Sequence, residues 1–307
     1  MTKFNFQKLS IFSGAVALAL SISPSVLAAS FADFIFVVDE SGSMGGEQAW
    51  LGSVINDLDA GLAAENVTAR YGLVGFGNFG GDRDGNGLND VLGRKVSVGG
   101  ADFGNAAQFS AATNTLLTSG GFEDGYSAID FSFSNYSLNP NAAVNIVLVT
   151  DEDRDNGNNS LDTANILNQL QTNGALLNAV VNNPFTDNNG TQAIGIDSKD
   201  NAYLQNGTNF IQSPGANIGG GFGSTASDYV QLALDSGGAA WNLNFLRRGG
   251  DAATAFSKAF VDIKVQEVVD QNPTDPVSTP EPASLLALLA VGAFGANSTL
   301  KSKKAVS

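Results

Sequence analysis

The sequence predicts an α/β fold, a doubly wound and mainly parallel sheet flanked by helices, forming one domain over residues 30–269. Residues 34–38 and 144–149 are almost wholly apolar, which is typical of strands buried on both faces of a parallel sheet. Strand and helix patterns alternate along this span, which favours crossover helices on both faces. Both apolar runs are followed by carboxylate and hydroxyl residues, at the edge where open α/β sheets bind ligands.

The predicted elements follow one another along the chain. The strands are expected at residues 34–38, 71–76, 95–98, 144–151 and 175–181. The helices are expected at about 51–62, 105–117 and 124–133, after an N-cap at Ser160, and at 252–263, because apolar residues recur there at helical spacing. Residues 182–227 are rich in Gly, Asn and Asp without a strong period, so they form either an extended loop or one or two hairpins.

Composition excludes several classes of function. The chain has no cysteine and no histidine, which excludes thiolate catalysis, Ser–His–Asp triads and metal sites built on Cys or His. Any bound metal must therefore be held by oxygen, which favours Ca²⁺, Mg²⁺ or Mn²⁺. The 307 residues include 30 acidic and 15 basic ones, for a net charge of −15. So few basic residues argue against binding to nucleic acid.

The first candidate metal loop directly follows the first apolar strand. Asp39, Ser41 and Ser43 form an Asp-x-Ser-x-Ser motif, and alternating oxygen donors of this kind can converge on one small cation. The motif resembles the metal-ion-dependent adhesion site of the von Willebrand factor A family. The resemblance implies that family's fold, a divalent cation (Mg²⁺ or Ca²⁺) held by these three residues, and a binding role.

Two further loops complete the site in that family. Residues 147–151, with Thr150 before Asp151, resemble its third loop, which implies that Asp151 is the second carboxylate. In the second loop, Phe122 follows a Gly pair where the family has a Thr. Because Phe cannot bind a metal, either Glu123 or Asp124 must supply the missing oxygen, and an extra carboxylate suits Ca²⁺ better than Mg²⁺. The alternative is a degenerate site without metal on the same scaffold.

A second candidate metal loop lies at residues 82–90. Asp82, Asp84, Asn86 and Asp90 occupy relative positions 1, 3, 5 and 9, and a Gly stands at position 6. This spacing matches the front of an EF-hand-like calcium loop, although the acid expected at position 12 is absent. The sequence therefore predicts a weak, second Ca²⁺ site, with an ordinary turn as the alternative.

The two ends of the chain read as targeting segments. Residues 1–29 have the lysines, apolar stretch and small residues of a secretory signal peptide. Residues 270–279 read as a linker. Residues 280–307 combine Pro280, Glu281 and Pro282 with an apolar span and a lysine-rich end, which resembles a PEP-CTERM sorting signal. The resemblance implies transient inner-membrane anchoring, processing by an exosortase-type enzyme and a final place at the cell surface or outside; a permanent anchor is the alternative.

Three functions follow from these features. The first is an exported, non-enzymatic protein whose bound cation holds an acidic group on a protein or polysaccharide, for adhesion or matrix assembly. The second is a structural matrix or exopolysaccharide-associated protein that has lost the metal. The third is a polysaccharide hydrolase that uses a carboxylate pair such as Glu123 and Asp124, which the common occurrence of adjacent acids makes the weakest of the three.

Overall fold

The computed structural model describes residues 30–78 and 80–272, and their twelve strands form one sheet. The strands are β1 (Ser30–Asp39), β2 (Val67–Phe76), β3 (Arg94–Val96), β4 (Phe103–Gly104), β5 (Ala142–Thr150), β6 (Ala175–Val181), β7 (Phe185–Asp187), β8 (Gln192–Asp197), β9 (Asn201–Asn206), β10 (Asn209–Pro214), β11 (Ala216–Ile218) and β12 (Ala239–Asn242). The predicted signal peptide, the PEP-CTERM segment and residues 273–279 of the linker lie outside the described residues.

Seven α-helices accompany the sheet in this part of the chain. They are α1 (Gly45–Ala64), α2 (Ala106–Thr113), α3 (Gly125–Asn135), α4 (Thr163–Thr172), α5 (Gln231–Asp235), α6 (Leu243–Arg247) and α7 (Gly250–Gln271). A 3₁₀ turn (Asp90–Leu92) precedes β3, and a π-helical turn (Ala226–Val230) leads into α5. No helix among the described residues has the length and apolar character needed to cross a membrane.

The centre of the sheet is parallel and its margins are antiparallel. The strand order is β10-β9-β8-β12-β6-β5-β1-β2-β3. The five strands from β12 to β2 run parallel to one another, whereas β3 and β8–β10 add antiparallel strands at the two margins. The predicted fold class is confirmed, with a parallel core inside a mixed sheet.

Helices cover both faces of the sheet because alternate residues of each central strand point to opposite sides. On β1, Phe34 and Phe36 join a core with α1, α2 and α7, whereas Ile35 and Val37 join a second core with α3, α4 and α5. The predicted apolar stripe of the last helix is buried against the first face, mainly through Ala255, Phe256, Ala259 and Phe260.

This winding creates a switch point between β1 and β5. From β1 the chain moves to β2 on one side and later to β5 on the other side. Open α/β sheets generally bind ligands at such a point, outside the carboxyl ends of the strands. Asp39 is the last residue of β1, and Asp151 directly follows β5.

Several predicted details differ from the structure. The N-cap of α4 is Asp162 rather than Ser160, because the Asp162 carboxylate accepts from the Asn165 amide while the Asn165 side chain caps in return. Residues 182–227 contain strands β7–β11, which agrees with the hairpin alternative. Strand β12 and helix α6 were not predicted, and α7 continues to Gln271, two residues beyond the expected end of the domain.

Candidate metal centre

Asp39 lies fully buried at the end of β1. Its Oδ1 accepts a 2.7 Å hydrogen bond from the Ser41 amide, and its Oδ2 accepts a 2.8 Å bond from the Thr150 hydroxyl on β5. The first bond forms because the chain turns sharply after the strand, and the second because β1 and β5 are neighbours. These contacts fix the carboxylate at the switch point.

Three oxygens extend from Asp39 toward the surface as a row. The Ser41 and Ser43 hydroxyls are 3.2 Å apart, and the Ser43 hydroxyl donates a 2.9 Å bond to Asp151 Oδ1. Neighbouring ligands of a cation bound at 2.0–2.1 Å in an octahedron are about 3.0 Å apart. The row therefore has the spacing of adjacent positions around a small divalent cation. Ser41 is buried and Ser43 is exposed, so the row opens to solvent at Ser43.

Glu123 approaches the same place from the loop before α3. This loop packs closely on the residues after β2, since a Cβ at Gly120 would lie only 1.7 Å from the Gly77 carbonyl oxygen. A Cβ at Gly77 would lie 3.2 Å from Glu123 Cγ and 3.3 Å from Asp39 Oδ1. Both acidic side chains therefore lie against one glycine. Glu123 is therefore near Asp39, although Asp39, Glu123 and Asp151 do not all bring a carboxylate oxygen within 4.8 Å of one another. Phe122, which cannot bind a metal, is 40% exposed.

Three carboxyl groups at this edge of the sheet have raised pKa values. Burial, with a smaller contribution from the charge of Asp151, raises the pKa of Asp39 to about 6. Burial and the neighbouring charge of Asp39 raise the pKa of Glu123 to about 8. Burial and the charges of Asp151, Asp153 and Asp155 raise the pKa of Glu152 as well. Like charges close together in a poorly solvated place produce such shifts, and a bound cation would relieve them.

Asp124, the other candidate for the missing oxygen, has hydrogen-bond partners of its own. Its Oδ1 accepts from Arg154 Nε at 2.8 Å, and its Oδ2 accepts from the Ser127 hydroxyl at 2.8 Å and the Asn158 amide at 3.1 Å. The residue is the N-cap of α3, and these hydrogen bonds with Arg154, Ser127 and Asn158 lower its pKa despite its burial. Asp124 therefore holds a helix start and a loop together, and both of its carboxylate oxygens are engaged in these hydrogen bonds.

Arg247, at the end of α6, was not predicted as part of the site. Its Nη2 donates a 2.8 Å bond to Asp151 Oδ2, and its Nε donates a 2.5 Å bond to Glu47 of α1. The guanidinium group is about one third exposed and neutralises part of the charge of Asp151. The sequence offered no signal for it, because the preceding strand β12 has only four residues.

Glu40, between the motif residues Asp39 and Ser41, is also buried and was not predicted. It forms a bidentate ion pair with Arg94 of β3 and accepts a 2.8 Å bond from the Leu117 amide. Asn78 donates 3.3 Å bonds to Glu40 Oε2 and to the Asp90 carbonyl oxygen. The pair therefore fastens the first metal loop to the edge of the sheet and to the loop before α3.

The predicted calcium loop is brought together in space. Asp82, Asp84 and Asp90 each offer a carboxylate oxygen within 4.8 Å of the others, and they are the only three-acid set of this kind among the described residues. Asn86 is next to them and accepts from the Leu88 amide at 2.7 Å. Burial and the charges of Asp84 and Asp82 raise the pKa of Asp90, although a bond from the Arg83 amide opposes the shift.

Comparison with known proteins finds similarity only to solved structures. No protein-family profile matches the sequence, and no curated protein matches it. Proximal thread matrix protein 1 from the mussel byssus, solved with a zinc-occupied MIDAS motif, is similar over 50% of this chain and 36% of its own, with 15% identity and a TM-score of 0.36. A von Willebrand factor type A protein from Catenulispora acidiphila is similar over 50% of this chain and 33% of its own, with 19% identity and a TM-score of 0.31.

A pilus adhesin, SpaC from Lactobacillus rhamnosus GG, is similar over 50% of this chain and 24% of its own, with 13% identity and a TM-score of 0.35. The similar segment thus spans about a third or less of each of these proteins. Similarities this low do not support an argument about function, so the evidence for the candidate site is its geometry alone.

Proposed function

We propose that this protein is an exported, non-enzymatic adhesion or ligand-binding protein whose divalent cation is held by Asp39, Ser41, Ser43 and Asp151. The observation that carries the proposal is the row of Ser41, Ser43 and Asp151 oxygens at 2.9 and 3.2 Å. Hydroxyl and carboxylate oxygens are the donors that Mg²⁺ and Ca²⁺ take. The raised pKa values of Asp39 and Glu123 support it, since they reflect negative charge that a cation would offset.

The ligand that such a site takes is an acidic group on a protein or polysaccharide. Ser43, the middle member of the row, is exposed, and there a bound cation could accept one oxygen from outside the protein. A carboxylate satisfies both the charge and the coordination of a hard cation. The surrounding negative charge of the domain would repel the same ligand without the metal. Binding should therefore depend on the cation.

The proposed location follows from the two ends of the sequence. The signal-peptide pattern of residues 1–29 supports export, and Pro280, Glu281 and Pro282 with the apolar span support sorting by an exosortase-type enzyme. Transient anchoring in the inner membrane would then precede delivery to the cell surface or the extracellular matrix. Adhesion or matrix assembly fits a binding protein in that place.

The test measures binding to an acidic polymer. Purified protein stripped with EDTA is passed over immobilised polygalacturonate in buffer with 2 mM Mg²⁺ or Ca²⁺ or with EDTA alone. We expect retention with either cation or both, none with EDTA, and loss on Ser43→Ala. Ser53→Ala, an exposed change on α1, is the matched control for a hydroxyl lost elsewhere. Retention that is equal with cation and with EDTA would contradict the proposal.

A second candidate, a structural matrix protein without metal, is favoured by one contact. The Arg247 guanidinium already pairs with Asp151 and Glu47, so part of the charge at the edge is balanced by the protein itself. The hydrolase alternative has less support, because both oxygens of Asp124 accept hydrogen bonds that hold the start of α3.

A further inference from the structure

We propose that the loop from Asp82 to Asp90 is a separate Ca²⁺ site that stabilises the β2–β3 edge of the sheet, independently of the proposed function at Asp39. The loop connects β2 to the 3₁₀ turn before β3. The inference rests on two observations: three carboxylates that meet in space, and one buried carboxylate oxygen that lacks a partner.

The first observation is the spacing of the acids. Carboxylate oxygens of Asp82, Asp84 and Asp90 lie within 4.8 Å of one another. Two oxygens bound to one Ca²⁺ at about 2.4 Å can be at most about 4.8 Å apart. The cluster is therefore small enough for all three acids to hold the same ion. Within the described residues, no ion pair involves any of the three.

The second observation concerns Asp90. Its side chain is fully buried. Its Oδ2 accepts a 2.7 Å bond from the Arg83 amide, but its Oδ1 is buried without a hydrogen-bond partner among the described residues. A buried, unpartnered carboxylate oxygen destabilises the folded state, because its hydrogen bonds with water are lost and not replaced. A cation coordinated beside Asp82 and Asp84 would remove that cost.

Backbone amides also donate hydrogen bonds to the other two carboxylates, Asp82 and Asp84. The Gly87 amide donates to Asp82 at 2.9 Å, the Asn86 amide to Asp84 at 3.0 Å and the Lys95 amide to Asp84 at 2.9 Å. Gly87 has φ +82°, which allows the sharp turn at the sixth position. The carboxylates are thus held in place by backbone donors before any ion binds.

Calcium is favoured over magnesium at this loop. The acids have different exposures, Asp82 exposed, Asp84 intermediate and Asp90 buried, and the exposed side leaves room for water ligands. Ca²⁺ accepts 6–8 oxygens in irregular geometry, whereas Mg²⁺ demands a near-ideal octahedron. The short loop and the missing acid at position 12 place the expected dissociation constant at about 10⁻⁴–10⁻³ M, as in extracellular modules.

The ion would stabilise the contacts between the end of β2, the 3₁₀ turn before β3 and Glu40. The Gly77 amide donates to the Val91 carbonyl oxygen at 3.0 Å, and Asn78 links the Asp90 carbonyl oxygen to Glu40. Holding Asp90 would therefore hold the end of β2 and the buried Glu40–Arg94 pair. At 10 mM Ca²⁺, the thermal midpoint should rise by roughly 5 °C if the dissociation constant is about 0.5 mM.

The test uses the full chain stripped with EDTA and then titrated with CaCl₂ or MgCl₂, with calorimetry and thermal unfolding as readouts. It is done in an Asp39→Ala background, so that the main site does not contribute. We expect one millimolar-range Ca²⁺ per chain and weaker Mg²⁺ binding. The exposed-side pair Asp82→Asn and Asp84→Asn should remove both the Ca²⁺ binding and the thermal shift, and Asp57→Asn should keep both.

Asp90→Asn adds a second readout. It should lose Ca²⁺ binding but unfold in EDTA at a temperature equal to or above that of the parent, because a neutral amide replaces the unpartnered carboxylate. If the Asp82→Asn and Asp84→Asn double variant keeps the full Ca²⁺ shift, or if the parent shows no shift up to 20 mM Ca²⁺, the loop is a turn and the proposal is overturned.

Discussion

The Thr150 hydroxyl donates a 2.8 Å hydrogen bond to Asp39 Oδ2 and so joins the ends of β5 and β1 across the switch point of the sheet. From this bond the site continues outward through Ser41 and Ser43 to Asp151. A buried acid is thus connected by a short chain of hydrogen bonds to a row of oxygens that is exposed to solvent at Ser43. The strands supply the rigidity, because both residues belong to central parallel strands.

The buried Glu40–Arg94 pair should be the most sensitive support of the site. Glu40→Gln removes the negative charge but leaves Arg94, whose side chain is 9% exposed, without its partner. Breaking a buried pair in this way costs about 3–5 kcal/mol. Urea unfolding should report that loss. Lys199→Met, which breaks the exposed Lys199–Asp270 pair, should cost less than about 1 kcal/mol; equal costs would contradict the role given to Glu40.

Arg247 should set the cation affinity of the main site. Arg247→Met frees Asp151 Oδ2 and removes a positive charge that repels the ion. Two elementary charges on the ion and one on Arg247, about 5 Å apart in water-like surroundings, interact by about 1–2 kcal/mol. Cation affinity measured by calorimetry should therefore rise about tenfold.

Arg248→Met is the matched control, because Arg248 stacks on Phe245 and contacts Gln192 instead of Asp151. It should change the affinity less than about twofold, since screening weakens charges that are farther away. The same gain in both variants would mean that total charge, and not the Arg247–Asp151 contact, controls binding.

The loops at the main site were predictable because strand ends of a parallel sheet meet at one edge. Asp39 follows an apolar run, and the resemblance of residues 147–151 to a family loop implied Asp151. The structure brings both to the switch point. Arg247 could not be predicted, since it depends on a four-residue strand and a five-residue helix. Asp124 was one of two candidates for the missing oxygen, and the sequence could not show that Arg154, Ser127 and Asn158 donate to it. A helix cap and a metal ligand use the same residue type, and only the surrounding donors distinguish them.

Lys264 should make stability depend on pH. Its ammonium group is fully buried on α7, where it donates to Asn145 at 2.8 Å and Glu267 at 2.5 Å. Burial lowers the pKa of Lys264 despite the nearby Glu267. Between its folded pKa and the ordinary value of 10.5, the unfolded chain binds more protons, so unfolding free energy rises with pH. Below the folded pKa, both the folded and the unfolded chain hold the proton, so Lys264 no longer makes the unfolding free energy depend on pH.

Urea unfolding at pH 7 and pH 10 checks this sign. The wild-type protein should gain stability relative to Lys264→Met as pH rises. Lys258→Met, a change at an exposed position of the same helix, is the control for loss of one positive charge. A wild-type advantage over Lys264→Met that shrinks at pH 10 would show the opposite linkage.

The two targeting segments should be absent from the mature protein. Mass spectrometry of protein from its native host should find an N-terminus near Ala29 and a C-terminus near Pro282. Peptides covering residues 285–301 should be missing, as the PEP-CTERM resemblance predicts. Recovery of those peptides from most molecules would mean that the tail is a permanent anchor.

The central claim is that a cation binds at Asp39, Ser41, Ser43 and Asp151. The most direct test is a titration of EDTA-stripped protein that carries Asp82→Asn and Asp84→Asn, because these changes remove cation binding at the second loop. With MgCl₂ or CaCl₂, calorimetry should report one cation per chain. Adding Asp39→Ala or Ser43→Ala should abolish that binding with little loss of fold by circular dichroism, while adding Asp57→Asn should not. A double variant that binds no cation, or binds it equally after Asp39→Ala and Ser43→Ala, would contradict the account.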